Sequence, residues 1–501
     1  MFTMARGYSF ANYGWDGGDL LSAAYSQGLA HPPGFALYII LLGMLMKILP
    51  IDPAIIGNGF SAVCAGATLF FVYITIEKLT NKPWIPAIGA CTLAVSEIFW
   101  SQATITEISS LNALFISLLI YLAITSTSLS GKKFLQRIAL IAFVFGLGTM
   151  NHLTIVLMAP GLLYWFFLHK QLFKNFIRSG YWIVTLAFIA GLTPIYYILS
   201  KRLDIPFVNW GMIDTWPNLF SYLTAQAYHT VLTATSIYEK LFLILQIIGA
   251  TLAQLKIFSV GLLSLCIIYW QDRKKETACL FIVFLSYFGF SVFYSNITAF
   301  NAYILPVFLL SVILSAIGTD YLLENSYWHI SEKDALFKNK LIYLFLLINI
   351  LFLGILNYPH VNASEDTRAE NLGKMVFDSL PDKSIVILGQ LEDERNSSLR
   401  FYQVVRVKRK DVLLIGGGIF RNDKYLAPYT HYYPWLNWNT IGPVSNDTEA
   451  ENQMVKFIDQ NKKDYPVFLF HKDPVREGEY VEWQNMNFYS TKNEPVYRLI
   501  F

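Results

Sequence analysis

Two acids separated by two glycines, Asp16-Gly17-Gly18-Asp19, open a helical run that reaches Gly28. At i and i+3 their carboxylates project from one face of a helix start. Two chemistries fit. In one, Asp16 caps the helix and Asp19 favours its positive end. In the other, a carboxylate held in a partly dry cleft acts as general base for a hydroxyl nucleophile. A cap uses a single acid and needs no glycines between the pair. Beyond the helix comes His31-Pro32-Pro33-Gly34, a rigid turn by composition, with His31 able to hydrogen-bond a sugar or phosphate.

Other polar residues stand at the ends of apolar stretches: Glu97, Gln102, Glu107, Asn112 and Asn151-His152. Ionisable groups at membrane depth are costly and face a cavity or a partner; helices bonding one another are the structural alternative. Glu107 and His152 are the strongest of these as ligands. A loop of about fifty residues follows Ser200, and loops that long in compact proteins are usually functional. In it, Lys201 and Arg202 either anchor a helix end at headgroup level or bind phosphate, Arg bidentately. Trp210, in Asn209-Trp210-Gly211, is an interface anchor or a platform under a sugar ring. No H-E-x-x-H, EF-hand loop or Cys/His cluster occurs, so no cofactor is expected and no metal site is demanded. The acids could hold a divalent cation only weakly.

The elements that must position these residues are membrane helices. Of 501 residues, 54% are hydrophobic, 16% aromatic and 15% charged, with a mean hydropathy of +0.43. Soluble proteins carry nearer ~25% charge, which excludes a soluble enzyme and a disordered chain. A net charge of +3 leaves no basic excess for nucleic acid. Cys64, Cys91, Cys266 and Cys279 lie singly in apolar stretches, so neither a disulfide framework nor a zinc site is indicated. A bilayer core of ~30 Å needs about 20 apolar residues. Ten stretches qualify: 54–79, 84–100, 107–127, 134–150, 153–169, 180–199, 251–271, 277–296, 302–323 and 339–357. Pro33–Leu49 is apolar but short and bounded by prolines, and reads as an interfacial or re-entrant helix.

Lys and Arg crowd one set of loops, among them Lys132, Lys133 and Arg137, then Lys170, Lys174 and Arg178, then Arg273, Lys274 and Lys275. Those loops are cytoplasmic by the positive-inside rule, which places both chain ends outside. No signal segment precedes Asp16, so we expect a first transmembrane helix to be missing from the chain as written, the complete protein having eleven spans. After Pro359 the composition turns charged and mixed. Strand-like runs (Ser384-Ile-Val-Ile-Leu, Asp411-Val-Leu-Leu-Ile, Val467-Phe-Leu-Phe) alternate with helical patterns near 366–380 and 448–461. Residues 1–358 thus read as a transmembrane catalytic domain and 359–501 as a small extracytoplasmic soluble α/β domain without nucleotide-binding or hydrolase motifs.

Trp15-Asp16-Gly17-Gly18-Asp19 and, twelve positions on, His31-Pro32-Pro33-Gly34-Phe35-Ala36-Leu37-Tyr38 resemble the N-terminal signature of a transmembrane glycosyltransferase family associated with protein O-mannosyltransferases, D-x-G-E followed by H-P-P-G. Phe99-Trp100 with Ala103 and Glu107, Asn151-His152-Leu153-Thr154, Asn209-Trp210-Gly211 and Tyr303-Ile304-Leu305-Pro306 extend the resemblance in order. It implies a polytopic α-helical GT-C architecture, a catalytic acid in the first extracytoplasmic loop and a polyprenyl-phosphate sugar as donor. By position Asp16 is the base and Asp19 stands where the family carries Glu. His31, Glu107, Asn151, His152, Lys201, Arg202, Asn209, Trp210 and Tyr303 are the candidate substrate ligands. The implied reaction is inverting transfer of a sugar, mannose by resemblance, to a Ser/Thr hydroxyl of an exported protein. A lipid or glycan acceptor is the alternative within enzymes, and a transporter or flippase of a lipid-linked sugar the alternative outside them. Matching halves with paired broken helices, common in transporters, are not visible. The membrane is read as a bacterial inner (plasma) membrane with the site on its outer face.

Overall fold

The computed structural model describes residues 2–169, 180–202, 204–210, 213–228, 236–268, 274–294, 300–324, 332–388, 393–421, 423–439, 441–442, 444, 446–470, 480–484, 486–489 and 496–499. Gly211 and the loop bases Lys170, Lys174, Arg178 and Arg273 lie outside the described residues. The chain forms two compact units. One comprises Met1–Met4, Asn58–Ile195 and Ala227–Ser364, and the other Ala5–Gly57, Tyr196–Gln226 and Glu365–Phe501.

The first unit is helical. With the helix that begins at Pro53, seven helices among the described residues are long and apolar enough to cross a membrane. They are Pro53–Leu79, Ser109–Ser126, Gly131–Asn151, Ile237–Leu265, Lys275–Phe293, Phe300–Glu324 and Asn339–Val361. Shorter apolar helices are Ile85–Val95, Leu153–Leu168 and Tyr181–Gly191 in this unit and Ala36–Ile48 in the second. Three stretches read as single spans are therefore interrupted, each for a local reason. At Ser96 the backbone becomes extended and the hydroxyl accepts from Phe99 N at 3.3 Å, starting a new helix at Glu97. Leu153–Met158 is a 3-10 turn that becomes α-helix at Ala159, with Pro160 in the first turn, where a missing N–H costs nothing. Pro194 follows the end of Tyr181–Gly191, and a proline cannot continue the hydrogen-bond ladder. The stretch read from 251 begins earlier, at Ile237, because Ser236 and Glu239 form a reciprocal capping box.

Phe300–Glu324 is the most enclosed helix: every residue from Ile304 to Asp320 is buried. Asp320 ends that stretch by accepting from the backbone N–H groups of Asn81 and Lys82 at 2.9 and 3.0 Å, which satisfies the turn after the Pro53–Leu79 helix.

The second unit contains a six-stranded sheet built from β1 (Ile385–Ile387), β2 (Leu413–Ile415), β3 (Val467–Phe470), β4 (Tyr480–Trp483), β5 (Met486–Tyr489) and β6 (Val496–Leu499), in the order β2-β1-β3-β6-β5-β4. β1 pairs in parallel with β2 and β3, and the remaining pairs are antiparallel. The three parallel strands are buried runs of Ile, Val, Leu and Phe, as strands covered on both faces require. Helices Arg368–Ser379 and Asp393–Phe401 pack Val376, Phe377 and Leu399 against Val386, Leu414 and Phe468. The N-terminal segment joins the same unit through polar contacts. Asp366 accepts from Ser9 Oγ at 2.6 Å and Ala11 N at 2.8 Å, while Arg406 ties Glu370 to Asp52.

Candidate active site

The Gly17–Ser26 helix begins at Asp16, whose carbonyl accepts from Leu20 N at 3.0 Å, yet the Asp16 side chain makes no capping bond. The capping alternative for this acid is thus not what the fold uses. An N-cap side chain ordinarily accepts from the N–H two or three positions on. Here the N–H three positions on, that of Asp19, donates to Ser397 Oγ at 2.9 Å. Ser397 belongs to the Asp393–Phe401 helix, and its carbonyl comes so close to Gly18 that a Cβ there would lie 2.4 Å from it. Glycine at 18 is what admits this approach.

Asp19 is buried and fully engaged. One carboxylate oxygen accepts from the His31 backbone N–H at 2.8 Å and contacts His31 Nδ1 at 2.9 Å; the other accepts from Trp210 Nε1 at 2.7 Å. A carboxylate only accepts, so His31 Nδ1 carries the proton and Nε2 presents its lone pair when the ring is neutral. That Nε2 lies 3.7 Å from Asp16 Oδ2. The Asp16 side chain is 49% exposed, against 8% for Asp19. The imidazole is held edge-to-face by Phe35 and Trp210, with centroids 4.9 and 5.9 Å away. The result is a line of groups, Asp19, His31, Asp16, with a closed end and an open end.

Local sequence explains why His31 points this way. Gly34 N donates to His31 O at 2.8 Å, closing the turn, and Gly34 takes φ +87°, a region that favours glycine. A Cβ on Gly34 would sit 2.5 Å from Tyr222 Oη, which donates to Ala30 O at 2.5 Å. Beneath the turn, Leu29, Ala36, Ile198, Ile213, Leu219 and Tyr222 form an apolar cluster. The segment bearing Trp210 is pinned from two sides. Leu29 N donates to Val208 O at 2.8 Å, and Tyr432 Oη donates to Ile205 O at 2.5 Å while its ring packs on Phe207.

Asn209 precedes Trp210 in this segment and is half-buried. Lys201 and Arg202 fall in the same unit, but their contacts run elsewhere. Lys201 Nζ sits over the Tyr197 ring, and Arg202 stacks on Trp216 and donates to Asp214 O at 2.5 Å. Arg202 Nε is buried and has no hydrogen-bond partner among the described residues.

The remaining candidates belong to the first unit. Glu107 is buried, with Oε1 accepting from Ile108 N at 3.0 Å. His152 Nδ1 accepts from Thr154 N at 3.3 Å, capping the 3-10 turn, and lies 2.7 Å from Thr154 Oγ1, which also accepts from Asn112 Nδ2 at 3.1 Å. Asn151 is 1% exposed, and among the described residues neither of its amide atoms nor Asn112 Oδ1 has a hydrogen-bond partner. The Tyr303 hydroxyl donates to Tyr294 Oη at 3.2 Å.

Among the described residues, sequence reasoning missed Ser397 as part of this arrangement. Nothing in its neighbourhood marks it, and only the glycine at 18 hints at a close neighbour.

The family model of the protein O-mannosyl-transferase TMEM260 N-terminal domain matches residues 16–175. The chain is 23% identical over 506 residues to the protein O-mannosyl-transferase TMEM260 of Mus musculus, covering 94% of this chain and 70% of that one. It is 24% identical over 321 residues to the protein O-mannosyl-transferase tmem260 of Dictyostelium discoideum, covering 56% of this chain and 38% of that one. Among solved structures, ArnT from Cupriavidus metallidurans bound to undecaprenyl phosphate matches with a TM-score of 0.62 at 11% identity, over 99% of this chain and 94% of that one. Its apo form matches with a TM-score of 0.63 at 11% identity, over 99% and 95%. The likeness to ArnT is one of fold, the GT-C fold. Both sequence relatives are eukaryotic, so the expectation of a bacterial inner membrane is not supported; what stands is an integral membrane protein.

Proposed function

We propose that this chain, a GT-C-type membrane glycosyltransferase similar to the protein O-mannosyltransferases, transfers mannose from a polyprenyl-phosphate donor to a Ser or Thr hydroxyl of a protein, with inversion, on the extracytoplasmic face. In this reading residues 1–358 are the catalytic transmembrane part and 359–501 an extracytoplasmic domain. The observation that carries it is the state of Asp16: an acid at a helix start, released from capping, half in solvent, and beside an imidazole whose far nitrogen is locked by a buried carboxylate.

Asp16 takes the proton of the acceptor hydroxyl as that oxygen attacks the anomeric carbon. The bond from that carbon to the phosphate oxygen breaks, its electron pair leaving with the polyprenyl phosphate. His31 Nε2, with Asp19 stabilising the imidazolium, is placed to receive the proton from Asp16 and restore the base. Asp19 is buried, with both oxygens engaged by His31 and Trp210, which fits it for orienting His31 rather than for proton abstraction. Charge gathers on the leaving phosphate. Arg202, with its unpartnered Nε, is the cation this reading assigns to it, and Trp210 lines the sugar side. The named relatives are transferases, which favours this reading over transport of a lipid-linked sugar.

A positioned base contributes roughly 10²–10⁴-fold. Asp16→Asn should lower transfer of labelled mannose from polyprenyl-phosphate mannose to a Ser/Thr peptide by that factor in isolated membranes, with the protein still folded and inserted. A rate near wild type removes Asp16 as the base. No transfer by the unmodified chain from any polyprenyl-phosphate sugar removes the reaction.

A further inference from the structure

We infer that Ser397 is a substitute helix cap that keeps Asp16 available, so that the C-terminal α/β part of the chain is a working component of the aspartate site; this rests on the reading of Asp16 as base. The Gly17–Ser26 helix starts at an aspartate, one of the strongest capping residues, yet that aspartate does not cap. The N–H it would ordinarily satisfy, that of Asp19, is bonded instead to Ser397 Oγ, 378 residues away. The geometry is built for this. Gly18 has no Cβ where the Ser397 carbonyl passes, and the next hydroxyl, that of Ser398, donates to Ala369 O at 2.7 Å, which ties the Asp393–Phe401 helix to the Arg368–Ser379 helix.

Capping and catalysis compete for one carboxylate. If it caps, Asp16 turns toward its own backbone, with one oxygen held by the Asp19 N–H and the carboxylate no longer aimed at the acceptor. With Ser397 in place the N–H is already satisfied, and a carboxylate there gains nothing. Ser397 thus acts through Asp16 and touches no substrate: it is a positioning residue. Asp16 now stands at φ −72° and ψ −18°, helical rather than the extended backbone of a capping residue, so on removal of Ser397 the Asp16 backbone should swing toward the extended region to cap the helix, turning the base away.

This yields a signature that simple structural support does not. Four full-length proteins are purified in detergent: wild type, Asp16→Ala, Ser397→Ala and the double variant. Each single variant should melt close to wild type, because one capping group remains when the other is gone. The double variant should melt clearly lower, a loss larger than the two singles combined. In the transfer assay Ser397→Ala should lower kcat roughly 2- to 30-fold, the span of a helix cap expressed as a population ratio, with KM for the donor unchanged. Ser397→Thr, which keeps the hydroxyl, should restore most of kcat. Additive melting shifts, or a Ser397→Ala protein with full kcat, overturn the inference. Unimpaired transfer by Asp16→Ala would instead overturn the assignment of the base, and the melting cycle still decides who caps the helix.

Discussion

Asp19 and Asn151 are both polar side chains removed from solvent, and the two units of the chain treat them oppositely. Asp19 has a directed donor for each oxygen: His31 on one, Trp210 on the other. Asn151, at the end of the Gly131–Asn151 helix, is 1% exposed with neither amide atom paired among the described residues. Buried polar groups are normally satisfied, and an exception asks for a reason. The contrast separates a group whose partners are protein side chains and backbone from one for which the described residues supply none. The first suits a catalytic group, whose orientation must precede the reaction.

The largest effect in this comparison is expected at Asp19. Asparagine there replaces one acceptor oxygen with an NH₂ group, so His31 or Trp210 must face a donor. Hydrogen bonds to charged groups contribute about 1.5–3 kcal/mol, and the imidazole loses the partner that sets its tautomer. Asp19→Asn should therefore lower transfer by roughly 10²–10⁴-fold and also lower the apparent melting temperature. Asp16→Asn should lose transfer alone, because its carboxylate is half in solvent and holds nothing together. An Asp19→Asn protein that melts like wild type would show that the buried network is not what orders this end of the helix.

Much of this arrangement could be read in the residues. The glycines between the two acids, and the Pro-Pro-Gly after His31, announce a tight turn, and Asp19 and His31 do meet. The strand runs after Ile385, Leu413 and Val467 are equally plain, since buried parallel strands need unbroken apolar residues. What could not be read has a physical cause in each case. Ser397 meets Asp19 from 378 residues away in sequence, and no local pattern encodes a contact at that separation. Hydropathy averages over a window, so the breaks at Ser96 and Pro194 vanish into continuous apolar stretches although each residue is a known interruption of a helix. His152 read as a ligand because it is ionisable at membrane depth, while part of its work is local: Nδ1 caps the next turn.

At Asn151 the comparison predicts a smaller and unusual outcome. An unpaired buried amide carries a desolvation penalty of about 1–3 kcal/mol, so replacing it with an apolar side chain of similar size should not destabilise the protein. Asn151→Leu should melt at or above the wild-type temperature, and if the amide meets substrate, kcat/KM should fall roughly tenfold, the worth of one or two lost hydrogen bonds. A clear drop in melting temperature would mean that an ordered water already completes the amide, and the contrast with Asp19 would disappear.

The smallest effect concerns the acid that fastens the N-terminal segment. Burial by itself would raise the Asp366 pKa; hydrogen bonds from the Arg368 side chain, Ser9 and the Arg368 backbone, with the Arg368 charge, outweigh it and hold the group down to about 2. Its ordinary value is 3.8. A carboxylate whose pKa is lower folded than unfolded stabilises the fold at pH values above the unfolded pKa. That stability is lost as pH falls from about 4 toward 2. Arg368 stands 69% in solvent, so screening reduces its share and the contribution is about 1 kcal/mol. The difference in melting temperature between wild type and Asp366→Asn should be constant from pH 7 to roughly pH 5 and shrink below pH 4. Were that difference to grow on acidification instead, Asp366 would be protonating more readily in the fold than outside it, and the contacts to Ser9 and Arg368 would not be what secures this segment.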